Sequence, residues 1–451
     1  MTFNLGKPIL VMIVVALIAG AVTIVHPKHA KPDLVLWVFA DQHQDVYKSI
    51  VGDFTKKTGL TVDVKLVAAQ AMDLRMSSLF MTDPTSRELP DLCEIEIGWV
   101  GKYFRPPVDQ VGFLPLNEML DKSGSRAKLV QQRLAPWTKE TTTFCIPHDV
   151  HPTALMYRKD LYDQAGVDIE AAKTWYELHQ KFLDFENYWK AHGYPTRHAV
   201  EAGISDTSLV QMILLARHIN LVDQFSKVHI SDPRVAQTVA FYAQMVTGPR
   251  KVGGQSNGGT GALSKDITDG NLCAFFTPDW RVTYIKKYSP DVAGKMRLMP
   301  LPKFDPTDCP TTTWGGTGIG ITRACRHPEN AWKLIEFLYF SDEGLAARSE
   351  HSDILPPVMS VWKEPRYHQP DPYFGGQKSQ ELFIQLAHEV PERYMTPGST
   401  IAAAALAYVL NDAVAYVDEH QGTEGLEAEC QRELNLAAED LERRIAHWRF
   451  E

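Results

Sequence analysis

The sequence predicts an α/β fold with additional helices, and residues 34–67 carry most of that expectation. Residues 34–39 (LVLWVF) form a continuous apolar run, as a strand buried on both faces requires. Residues 45–58 place Tyr47, Ile50, Val51 and Phe54 on one helical face, and Gly59 ends that helix in the manner of a C-terminal glycine. Residues 60–67 (LTVDVKLV) alternate apolar and polar side chains, as a half-buried strand does. Strand, helix and strand in this succession make a βαβ unit with parallel strands and a right-handed crossover. Ligands of such sheets bind beyond the carboxyl ends of the strands. Asp41, Gln42 and His43, which follow the first strand, are therefore candidate site residues.

The remaining elements follow in order. Residues 91–97 (DLCEIEI) read as another strand, with Glu96 at its end and Gly98-Trp99 beyond it. Residues 143–158 (TFCIPHDVHPTALMYR) are extended, because Pro147 and Pro152 exclude a regular helix. Helical patterns dominate residues 159–247, with breaks at 193–195 and 231–233. Residues 248–262 (GPRKVGGQSNGGTGA) predict a loop, and the stretch lacks the Gly-Lys-Ser/Thr ending of a phosphate loop. Residues 272–277 (LCAFFT) form a short apolar run before Pro278-Asp279-Trp280. Residues 314–322 (WGGTGIGIT) are a Gly-rich strand. Their glycines sit inside an extended run and do not open a helix, which excludes a dinucleotide fingerprint. Pro328 opens a helix with Ala331, Ile335 and Leu338 on one face, and Leu426, Cys430, Ala437, Leu441 and Ile445 mark a stripe on the final helix.

Bulk properties narrow the function. A chain of 451 residues accommodates two ordinary domains. A net charge of -9 excludes nucleic acid as a partner, since phosphate binding needs a basic surface. The six cysteines include no C-x-x-C pair, and His148 and His151 lie three apart in an extended stretch with no H-E-x-x-H elsewhere. Neither a metal nor a cofactor is expected. Residues 9–25 are uncharged and almost wholly apolar, preceded by Lys7, and Ala19-Gly20-Ala21 offers a small-x-small cleavage site. Residues 1–30 are accordingly expected to be a signal peptide or an N-terminal membrane anchor.

These segments, taken in order, resemble the extracellular solute-binding proteins of ABC-type sugar importers, the class that includes maltose-binding protein. The resemblance spans residues 33–448. It rests on LVLWVFADQHQDVYKSIVGDFTKKTGLTVDVKLV, LPDLCEIEIGWVGKYF, GFLPLNEML, CIPHDVHPTALMYRKDLYDQAGVD, ITDGNLCAFFTPDWRVTYI and WGGTGIGITRACRHPENAWKLIEFLYFSDEG. Arg158 stands where the family usually has Asn, and Asp279 where Gly is common. The resemblance implies a two-lobed, periplasmic-binding-protein-like fold of type II. Residues 33–146 plus 305–348 would form one lobe and residues 150–300 plus 352–451 the other, with hinge crossings at Pro147–His151 and near Pro302.

The same resemblance implies a monomer that captures a sugar between its lobes and delivers it to the transmembrane subunits of an ABC permease. It implies a location in the periplasm or at the outer face of the cytoplasmic membrane. A ligand-sensing receptor and a binding protein for a non-sugar solute share the fold and are the alternatives. A sugar presents flat apolar faces and a rim of hydroxyls, so its site needs aromatic rings and groups that donate and accept hydrogen bonds. Trp99, Trp280 and Trp314 are the aromatic candidates, the first two at positions where the family places cleft tryptophans. Glu96, Asp149, His151 and Asp279 join Asp41, Gln42 and His43 as polar candidates, with Asp149 or His151 implied at the hinge. Gly315 and Gly316 would let backbone N–H groups approach the ligand. Glu94 and Glu96 sit two residues apart on one strand face, which alone is no evidence for a hydrolase; no enzymatic activity is expected.

Overall fold

The computed structural model describes residues 31–256 and 260–448, together with residue 6 and residues 12–15. The expected signal peptide or anchor lies, but for those few residues, outside the described residues. The chain opens with β1 (Leu34–Val38), α1 (Asp41–Thr58) and β2 (Val62–Leu66). Helix α1 begins at Asp41, four positions earlier than the apolar periodicity predicts. Its first turn (DQHQ) is polar, and the acidic Asp41 there suits the exposed N–H groups of a helix start. After α2 (Ala69–Thr82) come β3 (Leu92–Glu96) and α3 (Ile97–Tyr103), whose start is capped by the Glu96 carboxylate accepting from Gly98 N at 2.7 Å. The proline-flanked segment forms β4 (Cys145–Pro147) and β5 (Thr153–Arg158). Then follow α4 (Trp175–Ala191), α5 (Thr207–Ala216), α6 (Pro233–Val246), β6 (Ala274–Pro278), α7 (Asp279–Tyr288), β7 (Met296–Met299) and β8 (Thr317–Ile321). The expected 248–262 loop is in part ordered, since Thr260–Asp269 is helical and Gly253–Gly254 pairs with Val200–Glu201.

Two main sheets result. The first has the order β2-β1-β3-β8-β4, with β2, β1 and β3 parallel and β8 antiparallel to both β3 and β4. The second has the order β6-β5-β7 and is wholly antiparallel. Both are covered on two faces. In the second, Leu155 and Tyr157 of β5 join a core with Phe276, Ile213, Val239 and Leu406, while Ala154 and Met156 face Phe275, Leu298 and Ile285. That alternation is the period of two that a pleated strand imposes. In the first, Leu36 and Ile319 pack with Tyr47, Phe54 and Ile335, and Trp37 and Ile95 face Phe113 and Trp137 on the other side. Helices α9 (Pro397–His420) and α10 (Leu426–Trp448), which follow α8 (Pro328–Phe340), bury Leu406, Leu410, Leu434 and Leu441 in the second core.

Three stretches of chain run between the sheets side by side. Thr153 N donates to Thr312 O at 3.0 Å, Val150 N to Leu355 O at 3.1 Å, and His148 N to Thr317 O at 2.8 Å. The return stretch therefore lies at about residues 311–316 rather than near Pro302. Leu301 and Lys303, the neighbours of Pro302, still hydrogen-bond to Pro310 and to Lys173 beside the second core. The expected boundary at residue 352 is also displaced, because Leu355, Val358, Val361 and Trp362 pack into the first core. All six cysteines are free and buried.

Candidate functional site

A cavity of about 460 Å³ opens where the sheets' loop ends meet. Its wall includes Glu96 and Gly98 from the end of β3, Trp280 from the start of α7, Trp314 and Gly315 from the return stretch, Gln211 from α5, and Arg393 and Tyr394 from the loop before α9. Apolar rings thus face a small set of polar groups, the composition of a small-molecule site.

Each side chain is held by its local chain. The Trp280 backbone N–H donates to Asp279 Oδ1 at 2.8 Å, and its indole Nε1 donates across to Trp314 O at 3.0 Å. The indole and the return stretch are therefore tied together. Gly315 has φ 80°, and a Cβ there would stand 3.3 Å from the Trp280 Nε1. Gly316 has φ 151°, and a Cβ there would meet Arg133 Nη2 at 2.5 Å. Only glycine fits both constraints. Asn220 clasps the loop that carries Arg393, donating to Glu392 O at 3.0 Å and accepting from Tyr394 N at 2.9 Å.

The charges at the cavity are arranged in layers. Burial pushes the Glu96 carboxyl up, and the Arg393 guanidinium opposes that shift. Burial lowers Arg393, and Glu96 raises it in turn. Behind the cavity lies a buried network. Asp149 Oδ1 accepts from Arg133 Nη2 at 2.9 Å and Asp149 Oδ2 from Thr317 N at 2.8 Å. His151, itself at φ 55°, sits between two carboxylates, with Nε2 3.1 Å from Asp149 Oδ2 and Nδ1 2.5 Å from Asp279 Oδ1. Burial favours the neutral imidazole, but Asp149 and Asp279 outweigh it and raise His151 to about 9. Asp279 Oδ2 accepts from Leu355 N at 2.7 Å, so the network touches all three inter-sheet stretches.

A second buried cluster lies under α1. His43 Nδ1 is 2.7 Å from Glu94 Oε2, while Tyr47 and Tyr339 donate to Glu94 Oε1. Burial raises Glu94, but the neighbouring His43 and His148 bring it to about 2. Burial, Arg348 and His43 push His148 down to about 3. The ligand atoms of His43, Glu94 and His148 lie within 4.8 Å of one another. The two imidazoles, however, stack at 4.0 Å and 24°, so their in-plane lone pairs do not converge, and Glu94 is already engaged by His43, Tyr47 and Tyr339. The geometry is that of a core polar cluster.

Among the residues singled out by sequence, the structure brings Glu96, Trp280, Trp314 and Gly315 to the cavity wall. Asp149, His151, Asp279 and Gly316 stand immediately behind it, fully engaged with protein partners. Asp41, Gln42, His43 and Trp99 are not part of the wall. Asp41 and Gln42 occupy the first turn of α1, His43 is buried against Glu94, and Trp99 packs on Phe39 with centroids 5.4 Å apart. Sequence reasoning missed Gln211, Arg393 and Tyr394. The first sits in a stretch, residues 159–247, whose sequence reads as helical without marking any one polar residue. The other two lie in a short loop (VPERYMTPGS) whose sole signal is an arginine and a tyrosine between prolines.

Two sheets of this topology, with adjacent stretches of chain passing between them and a cavity at their junction, define a two-lobed periplasmic-binding-protein fold. Residues 49–371 match the bacterial extracellular solute-binding proteins, and the chain belongs to that family. Among curated relatives, it is 23% identical over 366 residues to an arabinooligosaccharide-binding protein of Halalkalibacterium halodurans, covering 79% of each chain. It is also 23% identical over 357 residues to a lactose-binding protein of Rhizobium radiobacter, covering 78% of each. The fold is shared with the sugar-binding protein MalE from Xanthomonas citri, at a TM-score of 0.71 and 19% identity over 93% of this chain and 99% of the other. A cyclo/maltodextrin-binding protein complexed with maltotetraose superposes with a TM-score of 0.67 at 21% identity, over 93% and 98%.

Proposed function

We propose that this protein captures a sugar outside the cytoplasm, in the cavity around Trp280, and hands it to the transmembrane subunits of an ABC importer. The observation that carries this reading is the pairing of tryptophan faces (Trp280, Trp314) with a carboxylate, a guanidinium and an amide (Glu96, Arg393, Gln211) in one cavity. Rings take the apolar faces of a pyranose or furanose, and the polar groups take its hydroxyls in both hydrogen-bonding senses. The relatives named for arabinooligosaccharides and lactose support the same ligand class. Glu94 is committed to the core cluster, so the cavity has no second free carboxylate from β3 with which Glu96 could attack a glycosidic bond. The protein acts in binding and not in turnover.

In this reading the two lobes are the regions around the first and second sheets, with residues 355–367 in the first. The stretches at 148–153 and 311–316, with 352–355 beside them, serve as the hinge, and the chain passes to the second lobe between Tyr367 and Tyr373. Export through the N-terminal apolar segment places the protein at the outer face of the cytoplasmic membrane. A thermal-shift screen of the full chain against arabinooligosaccharides, lactose, maltooligosaccharides and short peptides tests the proposal. A rise in melting temperature with one sugar class, and unaltered sugar recovered afterwards, is the expected result. A shift with peptides alone, or cleavage of the sugar, would overturn it.

A further inference from the structure

The register of the second sheet sets Asp279 beside His151. Pro278 of β6 stands opposite Thr153 of β5, so the residues just beyond that pair leave the ladder side by side. Asp279 is the first residue of α7 and is fully buried, at a position where the sequences it resembles commonly have Gly. Its Oδ1 accepts from the Trp280 backbone N–H at 2.8 Å and faces His151 Nδ1 at 2.5 Å, while its Oδ2 accepts from Leu355 N at 2.7 Å. A glycine could make none of these side-chain bonds. On the far side of the ring, Nε2 lies 3.1 Å from Asp149 Oδ2. Asp149 is held in turn by Arg133 Nη2 at 2.9 Å and by Thr317 N of β8 at 2.8 Å. A row of alternating charge, Arg133, Asp149, His151 and Asp279, therefore runs from the first lobe to the first turn of α7, and that turn carries Trp280.

Both ring nitrogens of His151 stand against carboxylate oxygens. An ionised carboxylate only accepts, so each contact needs an N–H, and only the imidazolium has two. The charges agree. Arg133 and an imidazolium balance the two carboxylates, whereas a neutral ring would leave negative charge buried without a partner. The carboxylates accordingly outweigh burial and raise His151 to about 9. The backbone agrees as well, since φ 55° is costly for a residue with a side chain and persists only where the surroundings demand it. From the return stretch the ring meets Gly315, whose Cβ would stand 3.9 Å from His151 Cδ2. Arg133 and His148 act on the ring through Asp149, with His148 Nδ1 3.7 Å from Asp149 Oδ2. Glu96 and Arg393 lie beyond, at the cavity, and Asp149 adds to the upward push on Glu96.

We propose that His151 and Asp279 are positioning residues of the cavity: the imidazolium is a proton-dependent latch that fastens the first turn of α7, and with it Trp280, to the first lobe. The latch is engaged while His151 is protonated and releases as pH rises through about 9. Release loosens the indole in the cavity wall and weakens the hold on a ligand that stacks on it. The latch itself stands apart from the sugar reading; only its effect on affinity rests on that reading.

Fluorine NMR on the full chain, labelled with 5-fluorotryptophan and free of sugar, tests the latch. Of the ten tryptophans, Trp280 is identified by the signal missing from a Trp280→Phe variant. Between pH 7 and pH 10 that signal should shift with a midpoint near 9, while those of the buried Trp137 and Trp175 stay in place. Asp279→Asn removes one of the two anions and should lower the midpoint by about one pH unit or more. Tyr284, whose ring centroid lies 6.1 Å from that of Trp280, also titrates in the alkaline range, and Tyr284→Phe should leave the midpoint unchanged. A Trp280 signal fixed to pH 10, a midpoint that moves in Tyr284→Phe, or all signals moving together as in unfolding overturns the latch, even if Asp279→Asn does not fold. Calorimetry with arabinotriose and maltotriose at pH 7.5 and pH 9.8 tests the link to the ligand. The sugar that binds should do so about threefold or more weakly at the higher pH, part of the roughly tenfold that a whole ring face supplies. Equal affinity at both values overturns the link. Binding of neither sugar at either pH counts against the sugar reading, and the fluorine signal still decides the latch.

Discussion

His151 is the residue on which the most chemistry converges. It is buried between Asp149 and Asp279, and those carboxylates hold it protonated up to about 9 against an ordinary 6.5. A raised folded-state value stabilises the protein fully below 6.5 and less and less as pH climbs toward 9. The contribution at stake is about 3 kcal/mol. Melting temperature measured from pH 6 to pH 9.5 should therefore fall, and a His151→Gln variant should show a flatter profile from a lower start. A profile that declines equally in both would place the loss elsewhere. Removing the cation leaves two carboxylates buried without it, at a cost of about 3–5 kcal/mol, so the variant should be visibly destabilised at pH 7. At the cavity, Trp280→Ala should weaken sugar binding about tenfold, through loss of a ring face worth about 1–1.5 kcal/mol, with the fold retained. Trp99→Ala, by contrast, should leave affinity unchanged and lower the melting temperature, since Trp99 packs on Phe39 away from the cavity. Calorimetry on the pair separates wall from support.

Among elements, the return stretch 314–322 carries the tightest local constraint. Gly316→Ala would push a methyl group into Arg133 and disturb its bond to Asp149. A loss of about 2 kcal/mol or more in denaturant unfolding is expected. Conversely, Gly59→Ala changes a helix end that has open space around it and carries only the backbone penalty of φ 77°, about 1 kcal/mol. The same stretch illustrates what the sequence made legible. Its glycines lay inside an apolar run, which identified a strand, and a tryptophan at its mouth marked the cavity. Strands β1, β2, β3 and β6 were readable for the same reason: burial on two faces leaves an uninterrupted or alternating apolar pattern. The start of α1 was not, because a first turn made of Asp, Gln and His carries no apolar period. His43 misled for a related reason. A histidine just past the carboxyl end of a strand reads as a site residue, and only the fold reveals that Glu94, on another strand, meets it in the core. Arg393 and Gln211 were illegible because their roles depend on where a distant loop and helix come to rest.

For the molecule as a whole, adjacent stretches of chain crossing between two separately packed regions are expected to let those regions move relative to one another. Small-angle scattering should show a smaller radius of gyration when a saturating sugar is added. An unchanged radius alongside clear calorimetric binding would mean that the lobes are already together without ligand. The indole-to-carbonyl bond from Trp280 to Trp314 ties the second region to the return stretch, and any such motion must pivot around it or break it.

The six cysteines offer a consequence of another kind. Every thiol is buried, and burial raises Cys93 beyond the ordinary thiol range and holds Cys273 at about 12, so neither is present as the reactive thiolate near neutral pH. Alkylating reagents and maleimide dyes should therefore leave the native chain unmarked. A single cysteine introduced on an exposed helix face would be the one handle they find. Two such handles, one on each region, would let the distance between dyes be followed molecule by molecule, with no native thiol first removed.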